Sequence, residues 1–331
     1  MTMRLAIAGL AHGHVQAIFD EIERWDDLQL VAIADPDPAL VERYNAPYGV
    51  PAYGDHREML ADHRPDLVGV AAVYNQRATL VADALRAGAH VLVDKPLFTT
   101  LEELDDIEAA LAGATGVVSV LFEKRFYGST LAVRQLVANG ELGEIVQIAA
   151  TGPHKLNRLT RPEWFFRRET YGGVLGDLAV HDVDLTLLFS EATSGWVSGT
   201  TADGVPDRTG FSDHGTAFLR AGGVVASLEV NWLTPAASPY HGDYRMRLTG
   251  TLGTAELFFA RGVVEVVTDK RPPWTIEVPE NGRVAGETIS SLLRGEPPEV
   301  DTAASLAATR VALLAQRSAD NDGEVTSWKL S

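Results

Sequence analysis

An alternation running from residue 4 to residue 122, and then stopping, restricts this chain more than any other feature. The apolar runs RLAIAGL (4–10), LQLVAIAD (28–35), PDLVGVAAV (65–73), HVLVD (90–94) and GVVSVLF (116–122) have the length of buried strands. Between them lie helical patterns at 15–25 (with Ile18, Phe19, Ile22 and Trp25 on one face), 38–44, 79–87 and 101–112. A strand, a helix and a second strand close as a right-handed parallel crossover. This half therefore predicts an α/β, doubly wound Rossmann-type sheet with helices on both faces.

After about residue 123 the pattern changes. One helix, 130–139, is followed by strand-like runs at 144–151, 195–202, 215–221, 224–233, 244–251, 254–260, 263–268 and 274–278. The links Ala221-Gly222-Gly223 and Leu252-Gly253 read as antiparallel hairpins. Two helices close the chain near 287–293 and 302–318, with Gly295 ending the first and Asp301 starting the second. The expected division is 1–123, a nucleotide-binding domain, and 124–331, a substrate-binding and oligomerisation α+β domain on a large open, mainly antiparallel sheet. The last helix is free to pack back on the first domain. Alternation in VVASLEVNWL leaves one sheet face outward, expected as a large apolar patch that a homodimer or homotetramer would cover.

With 331 residues, 46% apolar and 22% charged, the chain can build two cores. A net charge of −17 argues against nucleic acid and anionic membrane as partners. The absence of cysteine excludes disulfides, thiolate nucleophiles and Cys-ligated zinc. No long uncharged apolar span is present, and the expected location is cytoplasmic.

Gly9-Leu10-Ala11-His12-Gly13-His14 lies between the first strand and the first helix. There a small residue lets backbone approach a pyrophosphate, and a helix start offers N–H donors. Ala11 and His14 stand where G-x-G-x-x-G has its second and third glycines. Asp35 ends the second strand, about 20 residues on, where a carboxylate takes ribose hydroxyls and repels a 2′-phosphate. The cofactor expected is therefore NAD rather than NADP. His12-x-His14 could also ligate a metal, as in barrel hydrolases, but the alternating units are too few for a barrel, and no metal is expected.

Two further stretches carry chemistry. In GGVLGDLAVHDVDLTLLF (172–189), Asp177, His181 and Asp184 fall at i, i+4 and i+7, one face of a helix. Leu178, Leu185, Leu187 and Leu188 can face the core. The stripe is open to three readings: a solvated face, a metal site, or a general base His181 held by flanking carboxylates. Lys95, kept from helical geometry by Pro96, projects from the carboxyl end of the fourth parallel strand, where ligands of open α/β sheets bind. An ammonium there can stabilise alkoxide character.

These residues together resemble the Gfo/Idh/MocA oxidoreductases, almost end to end. AGAHVLVDKP (87–96) is similar to the family's AGKHVLxEKP, Arg125-Phe126 to a recurring R-F pair, GELGEI (140–145) to the link into the second domain, and Gly172-Gly173 with Asp177, His181 and Asp184 to GG…DxxxHxxD. The resemblance implies that Lys95 contacts nicotinamide and substrate, His181 is the acid/base and Asp177 binds substrate. It also implies a sugar or polyol dehydrogenase acting on CH–OH, with an NAD-dependent glycosidase or a non-enzymatic NAD-sensing regulator as alternatives. Asp94 stands where the family has Glu, and VYNQR (73–77) puts Arg77 where His is common. Cofactor-binding residues are then Gly9, Leu10, Ala11, His12, Gly13, His14, Asp35, Asn75, Asp94, Lys95 and Pro96. Substrate-binding residues are Lys95, Arg125, Trp164, Asp177, His181 and Tyr240. The basic stretch HKLNRLTRPEWFFRR (154–168) reads either as a solvated loop anchored by its aromatics or as a lid meeting an acidic or phosphorylated sugar.

Overall fold

The computed structural model of the chain describes residues 2–204 and 210–330. The chain folds into two units, one of residues 1–121, 169–171 and 283–306, the other of 122–168, 172–282 and 307–331.

In the first unit the five expected strands form, with a short sixth, β3, that the apolar pattern does not indicate: β1 Met3–Ala8, β2 Leu28–Ala34, β3 Ala52–Tyr53, β4 Leu67–Val70, β5 His90–Val93 and β6 Val118–Val120. They make a parallel sheet in the order β3-β2-β1-β4-β5-β6. The chain moves outward from β1 in one direction, then crosses to β4 and moves out in the other. The carboxyl ends of β1 and β4 thus flank the switch point where such sheets bind ligands. The helices are α1 Gln16–Ile22, α2 Pro38–Asn45, α3 His56–His63, α4 Arg77–Arg86 and α5 Glu102–Leu111. α1 follows a 3-10 turn at residues 13–15 and stops at Ile22, short of the patterned stretch, because the chain turns at 23–24, where the Arg24 N–H donates to Glu21 O. Asp37 and Asp55 cap α2 and α3 by accepting the N–H of Ala39 and Arg57.

The second unit holds a nine-stranded sheet ordered β14-β13-β12-β11-β7-β10-β9-β8-β15. Its strands are β7 Ile145–Pro153, β8 Ser194–Ala202, β9 His214–Ala221, β10 Val224–Asn231, β11 Arg245–Gly250, β12 Gly253–Phe258, β13 Val263–Thr268, β14 Arg271–Ile276 and β15 Thr326–Lys329. Pairing is antiparallel except between β7 and β10. Both glycine-bearing links are the hairpins their sequence indicated, Ala221 pairing with Val224 and Thr249 with Thr254.

Helices α6 Gly128–Ala138, α7 Arg168–Tyr171, α8 Val180–Ser190, α9 Val284–Leu293 and α10 Thr302–Asp320 complete the chain. Gly295 has φ 71°, and Asp301 Oδ1 accepts the Ala304 N–H at 2.8 Å, so both helix-end signals act as read.

One sheet face is dry. Ile148, Leu219, Leu228, Leu248 and Val264 are fully buried, and α8 packs on β7, β9 and β10. Each such side chain contributes roughly 1.5–3 kcal/mol on burial. The opposite face is not the uniform apolar patch expected. Phe218 and Val225 are exposed on β9 and β10, but Arg247 and Glu256 form an ion pair across β11 and β12. Alternation decides which face is outward; it does not make that face apolar. Among the described residues no helix is long and apolar enough to cross a membrane.

Candidate active site

At the switch point the backbone of β1 and β4 nearly touches. Gly9 has φ 83°, and a Cβ on it would lie 2.4 Å from Cβ of Ala72. Only glycine fits on both counts. The N–H of Ala71 donates to Gly9 O and that of His12 to Ala71 O, which seals the loop onto β4. Gly13 is open: no atom lies within 4 Å of where its Cβ would stand. Asp35 is buried, and each oxygen accepts a backbone N–H, from Leu10 at 2.6 Å and from Asp37 at 2.8 Å. Burial raises its pKa against those two hydrogen bonds. The carboxylate thus braces the loop as well as ending β2. Asn75, on a 3-10 turn after β4, keeps its Oδ1 buried without a hydrogen-bond partner among the described residues. The narrow crossing at Gly9, the open Gly13 and that orphan acceptor fit a dinucleotide, whose amide or hydroxyl donors could satisfy Asn75.

Beyond β5, Asp94 is the hub of a buried charge cluster. Arg77 Nη2 lies 2.7 Å and His12 Nδ1 2.7 Å from Asp94 Oδ2, and His14 Nδ1 lies 2.9 Å from Oδ1. Burial alone would raise the Asp94 pKa; Arg77, then His12 and His14, outweigh it and hold the carboxyl well below its usual range. Burial lowers the His12 pKa to about 4 although Asp94 opposes this, so His12 is neutral at pH 7. A metal could find His12, His14 and Asp94 within 4.8 Å of one another. The Arg77 guanidinium already supplies positive charge to that carboxylate and opposes a cation there.

Arg77 is fully buried, although in the sequence it stands out only as a departure from a pattern. Its guanidinium also donates to the carbonyls of Ala72, Asp94 and Pro96 at 2.9–3.0 Å. The last two flank Lys95, which is 4% exposed. An arginine inside the nucleotide unit therefore fastens the backbone that carries the lysine. The Lys95–Pro96 peptide is cis.

In the second unit Gly172 and Gly173 have φ 83° and 111°, and a Cβ on Gly173 would lie 2.4 Å from the Gln316 side chain. Gln316 Oε1 accepts the Leu175 N–H, fixing the entry to the helix. Leu175–Ala179 forms a π turn that leads into α8. The stripe is therefore not one continuous α-helical face, because a π turn is wider than 3.6 residues and Asp177 sits within it. Asp177, His181 and Asp184 are nonetheless all buried. Asp184 differs from the flanking role read for it. It takes a two-pronged grip from Arg125, Nε to Oδ2 at 2.8 Å and Nη2 to Oδ1 at 2.7 Å. Arg125, expected at the substrate, thus anchors the helix. Leu187 and Leu188 are half-buried rather than in the core.

Sequence reasoning missed Lys124 and Asp182, a buried pair at 2.7 Å. Burial raises the Asp182 pKa, offset by Lys124. The Lys124 ammonium also lies 5.1 Å from the Tyr244 ring centroid. A usable signal was present: adjacent bases in FEKRF and alternate acids in VHDVDL, both inside apolar runs.

The basic segment is largely committed. Lys155 Nζ donates to Ser238 O at 2.6 Å, Arg161 lies over the rings of Phe165 and Trp232, and Arg168 pairs with Asp320 at 2.5 Å. Trp164 is half-buried, edge-on to Phe165. Tyr240 is 36% exposed.

Two family models match the chain: the oxidoreductase family, NAD-binding Rossmann fold, over residues 3–122, and the GFO/IDH/MocA C-terminal domain over residues 130–256. Myo-inositol 2-dehydrogenase of Thermotoga maritima is 25% identical over 279 residues, 81% of this chain and 79% of that protein. Among solved structures, an oxidoreductase from Thermotoga maritima superposes with a TM-score of 0.90 at 23% identity, covering 98% of this chain and 100% of the other. Levoglucosan dehydrogenase, solved with NADH and levoglucosan, gives 0.85 at 18% identity, covering 99% of each.

Proposed function

The chain belongs to the Gfo/Idh/MocA family of NAD-binding oxidoreductases, and from that premise we propose that it oxidises a secondary alcohol of a sugar or polyol. The observation that carries the reading is the burial of Lys95 and His181, 4% and 3% exposed, at the carboxyl end of β5 and the first turn of α8. Ionisable groups are seldom buried without a task or a partner.

Bound NAD supplies the hydride acceptor at its nicotinamide. In this reading Lys95 hydrogen-bonds the reacting oxygen and stabilises the negative charge that develops on it. His181 takes the hydroxyl proton, and Asp177 orients hydroxyl and imidazole. Gly9 to His14, Asp35, Asn75, Asp94 and Pro96 would line the cofactor. The Asp35 carboxylate, with Asp37 beside it, supports NAD over NADP, since a 2′-phosphate would meet two acids. The engagement of Lys155, Arg161 and Arg168 within the protein supports a neutral sugar over an acidic or phosphorylated one. The outward Phe218 and Val225 support assembly of like chains through the second sheet.

The experiment is reduced-nicotinamide absorbance with NAD or NADP against a panel of neutral and acidic sugars and polyols. Turnover with NAD and a neutral member is expected. Lys95→Ala and His181→Ala should each lose roughly 10²–10⁴-fold in kcat while NADH binding is kept. Unchanged kcat in both variants would remove the assignment.

A further inference from the structure

We infer that Glu123 is a positioning residue for His181, the carboxylate partner that holds the imidazole and stabilises its imidazolium form. The inference rests on the acid/base reading of His181 given above. It comes from the pairing of two short segments in the second unit. The 3-10 turn Glu123–Phe126 faces the start of α8 residue against residue. Lys124 Nζ meets Asp182 Oδ1 at 2.7 Å, and Arg125 grips Asp184 with both prongs. All four side chains are buried, so these contacts set the register of turn against helix. In that register Glu123 falls beside His181, with Oε1 3.8 Å from Nε2.

Exposure separates Glu123 from its neighbours. Its side chain is 40% accessible, against 3% for His181, so the carboxylate reaches the ring from the wetter side. The Phe122 ring is edge-on to the imidazole at 6.2 Å between centroids and limits its swing. The spacing of 3.8 Å is longer than a hydrogen bond and within ion-pair range, so a proton arriving on Nε2 turns the contact into a charged pair.

The charged groups on α8 and the segments facing its start are Asp177 in the π turn, Asp182 and Asp184 on α8, and Glu123, Lys124 and Arg125 on the facing turn; the Tyr127 and Tyr244 phenols lie within the field of Glu123, and His214, Arg220 and Glu229 of β9 and β10 stand on strand positions that alternate with the buried ones. Lys124 pairs with Asp182 and Arg125 with Asp184. Glu123 therefore adds negative charge beside the base. That charge favours proton uptake from the alcohol and opposes an anionic substituent at the same place.

The test is the titration of His181 in the full-length protein with ¹⁵N-labelled histidine. Its imidazole signals are assigned, among 9 histidines, by their loss in His181→Gln. In Glu123→Gln the His181 midpoint should move to lower pH, because the imidazolium has lost a nearby carboxylate. In Glu123→Asp, which keeps the charge at shorter reach, the move should be smaller. The acidic limb of kcat/KM should follow the same direction, with kcat reduced several-fold and KM for a neutral substrate little changed. A His181 titration in Glu123→Gln that overlays the wild type overturns the inference, whatever the activity. Wild-type turnover by His181→Gln would instead overturn the acid/base reading, while the titration still judges Glu123.

Discussion

The two buried charge clusters are built on opposite plans. In the first unit a single carboxylate, Asp94, serves Arg77, His12 and His14. In the second unit the pairs are separate: Lys124 with Asp182 and Arg125 with Asp184. A hub concentrates its charge and its consequences at one residue, so Asp94 is held far below the usual carboxyl range. A zipper distributes them, and burial wins at Asp182, whose pKa rises. The hub fixes the backbone on either side of a buried lysine. The zipper fixes a turn against the helix that carries a buried histidine. Either plan satisfies charges that water cannot reach, but they should fail differently.

The largest effect is expected at the hub. Arg77→Met leaves Asp94 buried with its main partner gone and three carbonyls without their donor, and should cost about 3–5 kcal/mol in urea unfolding. Loss of under 1 kcal/mol would mean that the hub is dispensable. In the zipper, Lys124→Met should cost about 3 kcal/mol, and Lys124→Met with Asp182→Leu should recover most of it, because both charges leave together. No recovery in the double variant would show that the zipper is as interlocked as the hub.

Acid should loosen the hub first. The folded His12 pKa, about 4, lies below its ordinary 6.5, so the unfolded chain binds the proton first and stability falls between those values as pH drops. This is on the order of 3 kcal/mol from His12. Asp94, lowered as well, adds loss in the carboxyl range, while Asp182, raised, works in the opposite sense and offsets part of it. Hydrogen exchange at neutral pH and near about pH 5 should show faster opening around 9–14 and 94–97 than around 123–126. Equal acceleration in both would break the contrast. The smallest effect is His14→Ala. Its side chain is 39% exposed, and its link to Asp94 should be worth less than about 1 kcal/mol in the same urea assay.

Legibility followed the range of each interaction. The long strands, the hairpins at Gly222 and Gly253, the start of α10 at Asp301 and the glycine at the β1 turn were readable, since each depends on neighbours in the chain; the short edge strands β3 and β15 were not. Lys95 and His181 were readable as candidates by position and by resemblance. The π turn at Leu175–Ala179 was hidden, because α and π turns draw on the same apolar residues and differ by one residue in hydrogen-bond register. Arg77 stands where the resembled family commonly has a histidine, and nothing local announces that it is fully buried.

Periodicity alone settled two sheets, one parallel and one mostly antiparallel, because the faces of strands and helices follow from spacing along the chain. Which charge meets which was decided only by the tertiary structure. Arg77 and Asp94 are separated by 17 residues, Lys124 and Asp182 by 58, and Arg125 and Asp184 by 59. Local preference says which way a side chain points from its own element. It carries no term for the register between elements, which is set by how a whole core packs.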